Sequence, residues 1–174
     1  MRLAIDGYNL IAAIAGSPLD FLDLEVERES LIGMLADYRS CRRHVVEVVF
    51  DGWQVAAAGA RKSHEQGVKI IFSPLGMKAD LVLLRLAEKY GSGLTVVTDD
   101  GDLRHKVQRY NAVTIGALEF YDQMMVAVIA GEKGLTGEDD DLAERRQDRS
   151  TKKKGNPRRL SRKERQKAKR IKSL

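Results

Sequence analysis

The sequence predicts an α/β fold: a mainly parallel sheet of about five strands with helices on both faces. Three observations predict it. Short apolar, often β-branched runs recur at residues 2–5, 45–50, 67–72, 94–97 and 112–115. They are apolar throughout rather than alternating, as strands covered on both faces are. Segments with helical spacing of apolar residues lie between them.

Taken in order, residues 2–5 form a buried strand leading to Asp6, followed by a loop through Gly16, Ser17 and Pro18. Leu24, Leu31, Leu35 and Tyr38 keep helical spacing within residues 21–43, with Glu25, Glu27, Arg28 and Glu29 on polar faces. The second strand ends at Asp51-Gly52, and residues 53–66 read as a loop with a short helix. The third strand stops at Ser73-Pro74. Residues 77–90, rich in Leu, Val and Ala, predict a well-buried helix. A fourth strand, a helix over 102–110, a fifth strand and a last helix over 118–130 complete the body.

Length and composition bound the rest. The 174 residues fit one domain with an extension, and 43% hydrophobic content suits a real core. The single cysteine, Cys41, excludes an internal disulfide framework and suits a reducing compartment. No apolar run approaches the roughly 18 residues of a membrane span, and no signal segment is recognisable at the start. A soluble, cytoplasmic protein without a membrane partner is the expectation.

The net charge of +5 hides an asymmetry: residues 1–131 hold 14 basic and 17 acidic side chains, and residues 132–174 hold 16 and 8. The expected division is therefore a domain over 1–131 and a charged linker with a flexible basic tail over 132–174. The tail has too few apolar residues for a core. Its Lys152, Lys153, Lys154, Arg158, Arg159, Arg162, Lys163 and Arg165 suit a polyanion such as RNA, through phosphate neutralisation that is insensitive to sequence. A merely solubilising tail is the plainer alternative, and the absence of aromatic residues there argues against base stacking.

The body is slightly acidic, and its acids are placed informatively. In a parallel sheet the carboxyl ends of the strands share one edge, where ligands bind. Asp6, Asp51 and the Asp99-Asp100-Gly101-Asp102 cluster follow strands, and Asp80 opens a helix on that edge. Carboxylates gathered without basic partners repel one another. A hard divalent cation such as Mg²⁺ removes that repulsion and prefers oxygen ligands. Such an ion serves phosphodiester hydrolysis.

Asp6, Asp80, Asp100 and Asp102 are the expected catalytic and metal-binding acids. Asn9, Asp51 and Asp99 are expected to position substrate or support the ligands. Each has a plainer reading: Asp6 and Asp51 as turn residues, Asn9 and Asp99 as caps, and Asp80 as an acid favoured by the helix dipole. His44, His64 and His105 lack metal-ligand spacing and are expected to be structural or exposed. Cys41 is expected to be buried at a helix end, and Trp53 to pack beneath the cleft, with stacking on a base as its alternative. Arg42, Arg43, Arg61, Lys62 and Lys78 are candidates for the approach to the cleft, with solvated surface as the default.

The runs Ile5-Asp6-Gly7-Tyr8-Asn9-Leu10-Ile11, Val48-Val49-Phe50-Asp51, Lys78-Ala79-Asp80 and Val97-Thr98-Asp99-Asp100 together resemble the NYN domain of the PIN-like nuclease superfamily. Within it the chain is most similar to YacP-type bacterial proteins. Over residues 1–130 the resemblance implies a three-layer α/β/α PIN-like (Rossmann-like) domain, Mg²⁺ or Mn²⁺ dependence and endoribonuclease activity. It assigns metal binding to Asp6, Asp80 and Asp100, with Asp102 as a further acid, Asn9 beside Asp6, and Asp51 as the acid after the second strand. It also implies RNA, and by extension ribosome-associated mRNA, as partner. The long basic tail is a departure from the core pattern. A different class stays open: a catalytically weak RNA- or ribosome-binding protein. Toprim-like and HAD-like folds fit less well, since the first expects a glutamate at position 6 and the second an acid at Tyr8.

Overall fold

The structure, a computed structural model, describes residues 1–16, 24–52, 61–132 and 162–172. It is a three-layer α/β/α arrangement. The elements run β1 (Arg2–Asp6), α1 (Gly7–Ala15), α2 (Leu24–Cys41), β2 (Val45–Phe50), β3 (Arg61–Glu65), β4 (Val68–Phe72), α3 (Ala79–Tyr90), β5 (Leu94–Val97), α4 (Gly101–Gln108), β6 (Val113–Ile115), α5 (Ala117–Glu132) and α6 (Arg162–Lys172). The sheet order is β3-β4-β2-β1-β5-β6. All pairings are parallel except β3 with β4.

β1 lies between β2 and β5, with Ile5 opposite both Val48 and Val97. From β1 the chain builds one half of the sheet, then crosses back to build the other. A crevice at the carboxyl end of β1 follows from that reversal.

Alternation along the strands sorts two cores. Leu3, Ile5, Val48, Phe50, Ile70 and Val97 pack with α1, α2 and α5. Ala4, Val49, Ile71, Leu94 and Val96 pack with α3 and α4. With a period of two, Asp6, Asp51 and Thr98 belong to the α3–α4 side of the sheet. Glu47 is on that side too. It is fully buried at 0% exposure and held in ion pairs by Arg2 and Lys69, while Arg2 also lies over the Tyr90 ring.

Several elements differ from the sequence expectation. Residues 7–15 are helical rather than a loop, because Asp6 caps the helix and Gly16 ends it with φ +64°. Residues 61–65 are a strand, not a helix, paired antiparallel with β4, so the sheet has six strands. Helix α3 is less buried than its apolar content suggests. Only Ala79, Leu83 and Ala87 are buried, and Leu81 is 47% exposed. Part of the basic tail is helical: Ile171 of α6 packs against the first core.

Candidate active site

The loops at the carboxyl edge are built on one another. Ser73, 2% exposed, accepts from the Gly52 N–H at 3.0 Å and donates to the Met77 carbonyl at 2.5 Å. This clamps the loop before α3 onto the end of β2. Close backbone approach requires glycine at 52, since a Cβ there would lie 1.8 Å from the Ser73 carbonyl oxygen. The clamp brings the first N–H of α3 to Asp51, whose Oδ1 accepts from Ala79 N at 2.5 Å.

That hydrogen bond separates the roles of Asp51 and Asp80. The residue before α3, Lys78, provides no side-chain cap, and Asp51 does so from across the sheet. Asp80 sits in the first turn, half-buried, with its carboxylate free of that duty.

Asp6 stands at the end of the central strand. Its Oδ1 accepts from Asn9 N at 3.3 Å, and its Oδ2 accepts from Thr98 Oγ1 at 3.4 Å. Burial pushes its pKa up to about 6, the negative charges of Asp80 and Asp51 add to the rise, and the Asn9 and Thr98 hydrogen bonds oppose it. Asp80 is also raised, by burial first and then by Asp100 and Asp51, with Lys78 and Lys106 pulling the other way. Asp6, Asp51, Asp80 and Asp100 thus form one repelling set drawn from β1, β2, α3 and α4.

Thr98, fully buried, ties the set together. Besides donating to Asp6 it accepts from Asp100 N at 3.2 Å. Asp100 caps α4 through Leu103 N at 2.9 Å. Sequence reading overlooked this threonine, although a hydroxyl between a strand end and paired acids is a usable signal. Asn9 does not bond the Asp6 carboxylate through its side chain. Its Oδ1 accepts from Asp99 N at 2.8 Å, and Asp99 Oδ1 in turn accepts from Ala117 N at 3.0 Å. Asp99 is a cap for α5, and Asn9 fixes the loop that presents Asp100.

Asp102 is exposed in the first turn of α4, and its charge is not among those acting on Asp6 or Asp80. His64 lies in β3 and His105 in α4. His44 pairs through Nδ1 with Tyr38 Oη at 2.9 Å, and Cys41 is half-buried at the end of α2. Trp53 lies outside the described residues, as do Lys152, Lys153, Lys154, Arg158 and Arg159; Arg162, Lys163 and Arg165 are in α6, with Arg165 exposed.

The donor set suits a hard cation, being all oxygen. Among the described residues no three His, Cys, Asp or Glu side chains are grouped closely enough to hold an ion by themselves. Asp51 and Asp100 also each commit an oxygen to a helix cap. An all-oxygen set of this kind would suit a hard divalent cation that kept most of its waters and took one or two direct carboxylates. Burial of Asp6 against two like charges is relieved by a proton and would be relieved equally by a cation.

A mainly parallel three-layer sheet with acids gathered at the carboxyl end of its central strand defines a PIN-like, nuclease-type domain. The sequence matches the YacP-like NYN domain family over residues 3–173, and the chain belongs to that family. The match extends through α6, so the basic extension lies within the family's span. Two crystal structures of Rae1 (YacP) from Bacillus subtilis are similar. One, a Trp-to-Leu variant, is 26% identical with a TM-score of 0.63, covering 79% of this chain and 84% of that one. The other is 24% identical with a TM-score of 0.62, covering 78% and 79%, and supports the fold alone. No curated protein matches the sequence. No helix among the described residues is long and apolar enough to cross a membrane.

Proposed function

We propose that this chain is a metal-dependent endoribonuclease that hydrolyses RNA phosphodiester bonds in the cytoplasm, with ribosome-associated mRNA as a candidate substrate. The observation that carries the reading is the gathering of Asp6, Asp80 and Asp100 at one sheet edge, with Thr98 bonded to both Asp6 and Asp100 and Asp51 capping the helix that carries Asp80; burial and the charges of Asp80 and Asp51 push the pKa of Asp6 up to about 6. Repelling carboxylates held so by the fold favour a cation over an empty cleft.

Asp6, Asp80 and Asp100 are the acids that would hold Mg²⁺ or Mn²⁺, with Asp102 at the rim and Asp51 supporting from behind. When bound, the ion supplies charge neutralisation at the phosphoryl group and a more acidic water. The chain's own residues set the stage for it. Thr98 keeps Asp6 and Asp100 in register, Asn9 fixes the intervening loop, and Lys78 and Lys106 beside Asp80 favour an approaching phosphate. Residues 1–131 would form the nuclease body and 132–174 a basic segment adding salt-sensitive RNA affinity.

Thermal denaturation with Mg²⁺ or Mn²⁺ against chelator tests the site. The ion should raise the melting temperature of the native chain by several degrees, and raise that of Asp6→Asn or Asp80→Asn by much less. An equal rise in all three would remove these acids from the site. RNA binding without any cleavage would favour the alternative of a catalytically weak RNA- or ribosome-binding protein.

A further inference from the structure

On the opposite side of the sheet edge from the acids, four side chains make a second feature that the site does not use. Tyr8, in the first turn of α1 and two residues from Asp6, packs edge-on against Phe50 with centroids 5.1 Å apart. Phe50 stacks on Phe72 at 5.7 Å. Arg28, from the second turn of α2, donates from Nη1 to Tyr8 Oη at 3.0 Å, and its guanidinium lies 5.7 Å from the centre of the Phe72 ring.

Three properties mark this arginine. It is half-buried and held in place by a hydroxyl and a ring, so little conformational freedom is lost when it binds something. Among the described residues it has no carboxylate partner, unlike Arg2 and Lys69, which pair with Glu47. The glutamates beside it on α2, Glu25, Glu27 and Glu29, are exposed and make no ion pair with it. Finally, a guanidinium has five N–H donors in a planar fork, and among the described residues only one bond, to Tyr8, is made. A held cation with no carboxylate partner among the described residues, set against Tyr8 and Phe72 near the carboxyl ends of β1 and β4, is poorly explained by packing alone. An anion with several acceptor oxygens completes it.

We infer that Arg28, oriented by Tyr8 and Phe72, binds a backbone phosphate of the RNA that is not the one being cut. This subsite rests on the reading that the cleft takes RNA. Helix α1 connects the two places directly: Asp6 caps it, and Tyr8 occupies its first turn. A strand of RNA crossing the sheet edge would meet the carboxylates on one side and the Arg28 fork on the other. Arg28 is therefore a positioning residue, whose effect falls on binding more than on chemistry.

The test is binding of a short fluorescent single-stranded RNA in chelator, followed across salt concentrations, for the native chain, Arg28→Ala, Arg28→Lys and Tyr8→Phe. Arg28→Ala should weaken binding roughly tenfold, the loss of a charge-assisted contact, and reduce the salt slope by about one. Arg28→Lys should keep the slope but lose part of the affinity, because the fork geometry is gone. Tyr8→Phe keeps the ring on Phe50 and should weaken binding by a smaller factor. In cleavage assays Arg28→Ala should raise KM by a larger factor than it lowers kcat.

Unchanged affinity and slope in Arg28→Ala would overturn the inference. If that variant does not fold, unchanged affinity in both Arg28→Lys and Tyr8→Phe would do so. A native chain that binds RNA in chelator yet never cuts it would sink the nuclease reading and leave the subsite standing. Cleavage that persists while Arg28→Ala binds normally would do the reverse.

Discussion

Asp51 Oδ1 accepts the backbone N–H of Ala79 at 2.5 Å, so the acid that follows β2 caps the helix that carries Asp80. The two neighbouring acids thereby take different jobs. One fixes the helix, and the other is free to face the cleft.

Asp51→Ala should lower stability by about 1 kcal/mol, the usual effect of losing a helix cap, as measured by urea denaturation. It should also reduce cleavage, because the first turn of α3 positions Asp80. Asp51→Asn keeps an acceptor and removes a like charge, so its stability should stay near that of the native chain. A loss in Asp51→Asn as large as in Asp51→Ala would mean that the charge, not the cap, matters.

How much of this could be read from the sequence depends on where each interaction comes from. The strand leading to Asp6 was legible because an apolar run stops at an acid. Helix α1 was not, since Gly7, Tyr8 and Asn9 look like turn residues and only the Asp6 cap shows the helix starting at once. Strand β3 escaped because Arg61-Lys62-Ser63-His64-Glu65 has no apolar alternation, and its pairing with β4 supplies what its side chains do not. For Asp80 the sequence left capping and site roles open, because the residue that caps α3 lies 28 positions before Ala79. The role of Arg28 had no local signal at all, since Tyr8 and Phe72 reach it only through the fold.

Two groups should give the metal-free protein opposing pH dependences. The pKa of Asp6 is raised from 3.8 to about 6, so the folded state holds a proton that the unfolded chain has released. Its contribution is present below 3.8 and is lost as pH rises through 6. Burial, with the positive chain terminus and Arg42, lowers His44 from 6.5 to about 4. Its contribution is present above 6.5 and is lost as pH falls through 4. In chelator the native chain should therefore vary weakly between pH 4 and 6.5. Asp6→Asn should gain stability with rising pH across that window, and His44→Gln should lose it. Parallel stability curves for the three proteins would show that these groups do not carry the linkage.

The Gly52–Ser73 approach should tolerate no side chain. Gly52→Ala would place a Cβ 1.8 Å from the Ser73 carbonyl oxygen, and a drop of roughly 2 kcal/mol or more is expected, with cleavage reduced as Asp51 shifts from Ala79. Gly33→Ala is the control. Its Cβ would meet nothing within 4 Å in α2, and a gain of about 0.5–1 kcal/mol is expected. Both are read by urea denaturation.

The acids at the end of β1 and at the starts of α3 and α4 should serve one metal-dependent cleavage site. Single-turnover cleavage of end-labelled RNA by the purified chain, in Mg²⁺ or Mn²⁺ and in chelator, tests it most directly. Cleavage should require the ion. It should fall by about 100-fold or more in Asp6→Asn, Asp80→Asn and Asp100→Asn, in line with the loss of one preorganised electrostatic group, and by a smaller factor in the exposed Asp102→Asn. Equal cleavage in chelator, or full activity in Asp6→Asn, would contradict it.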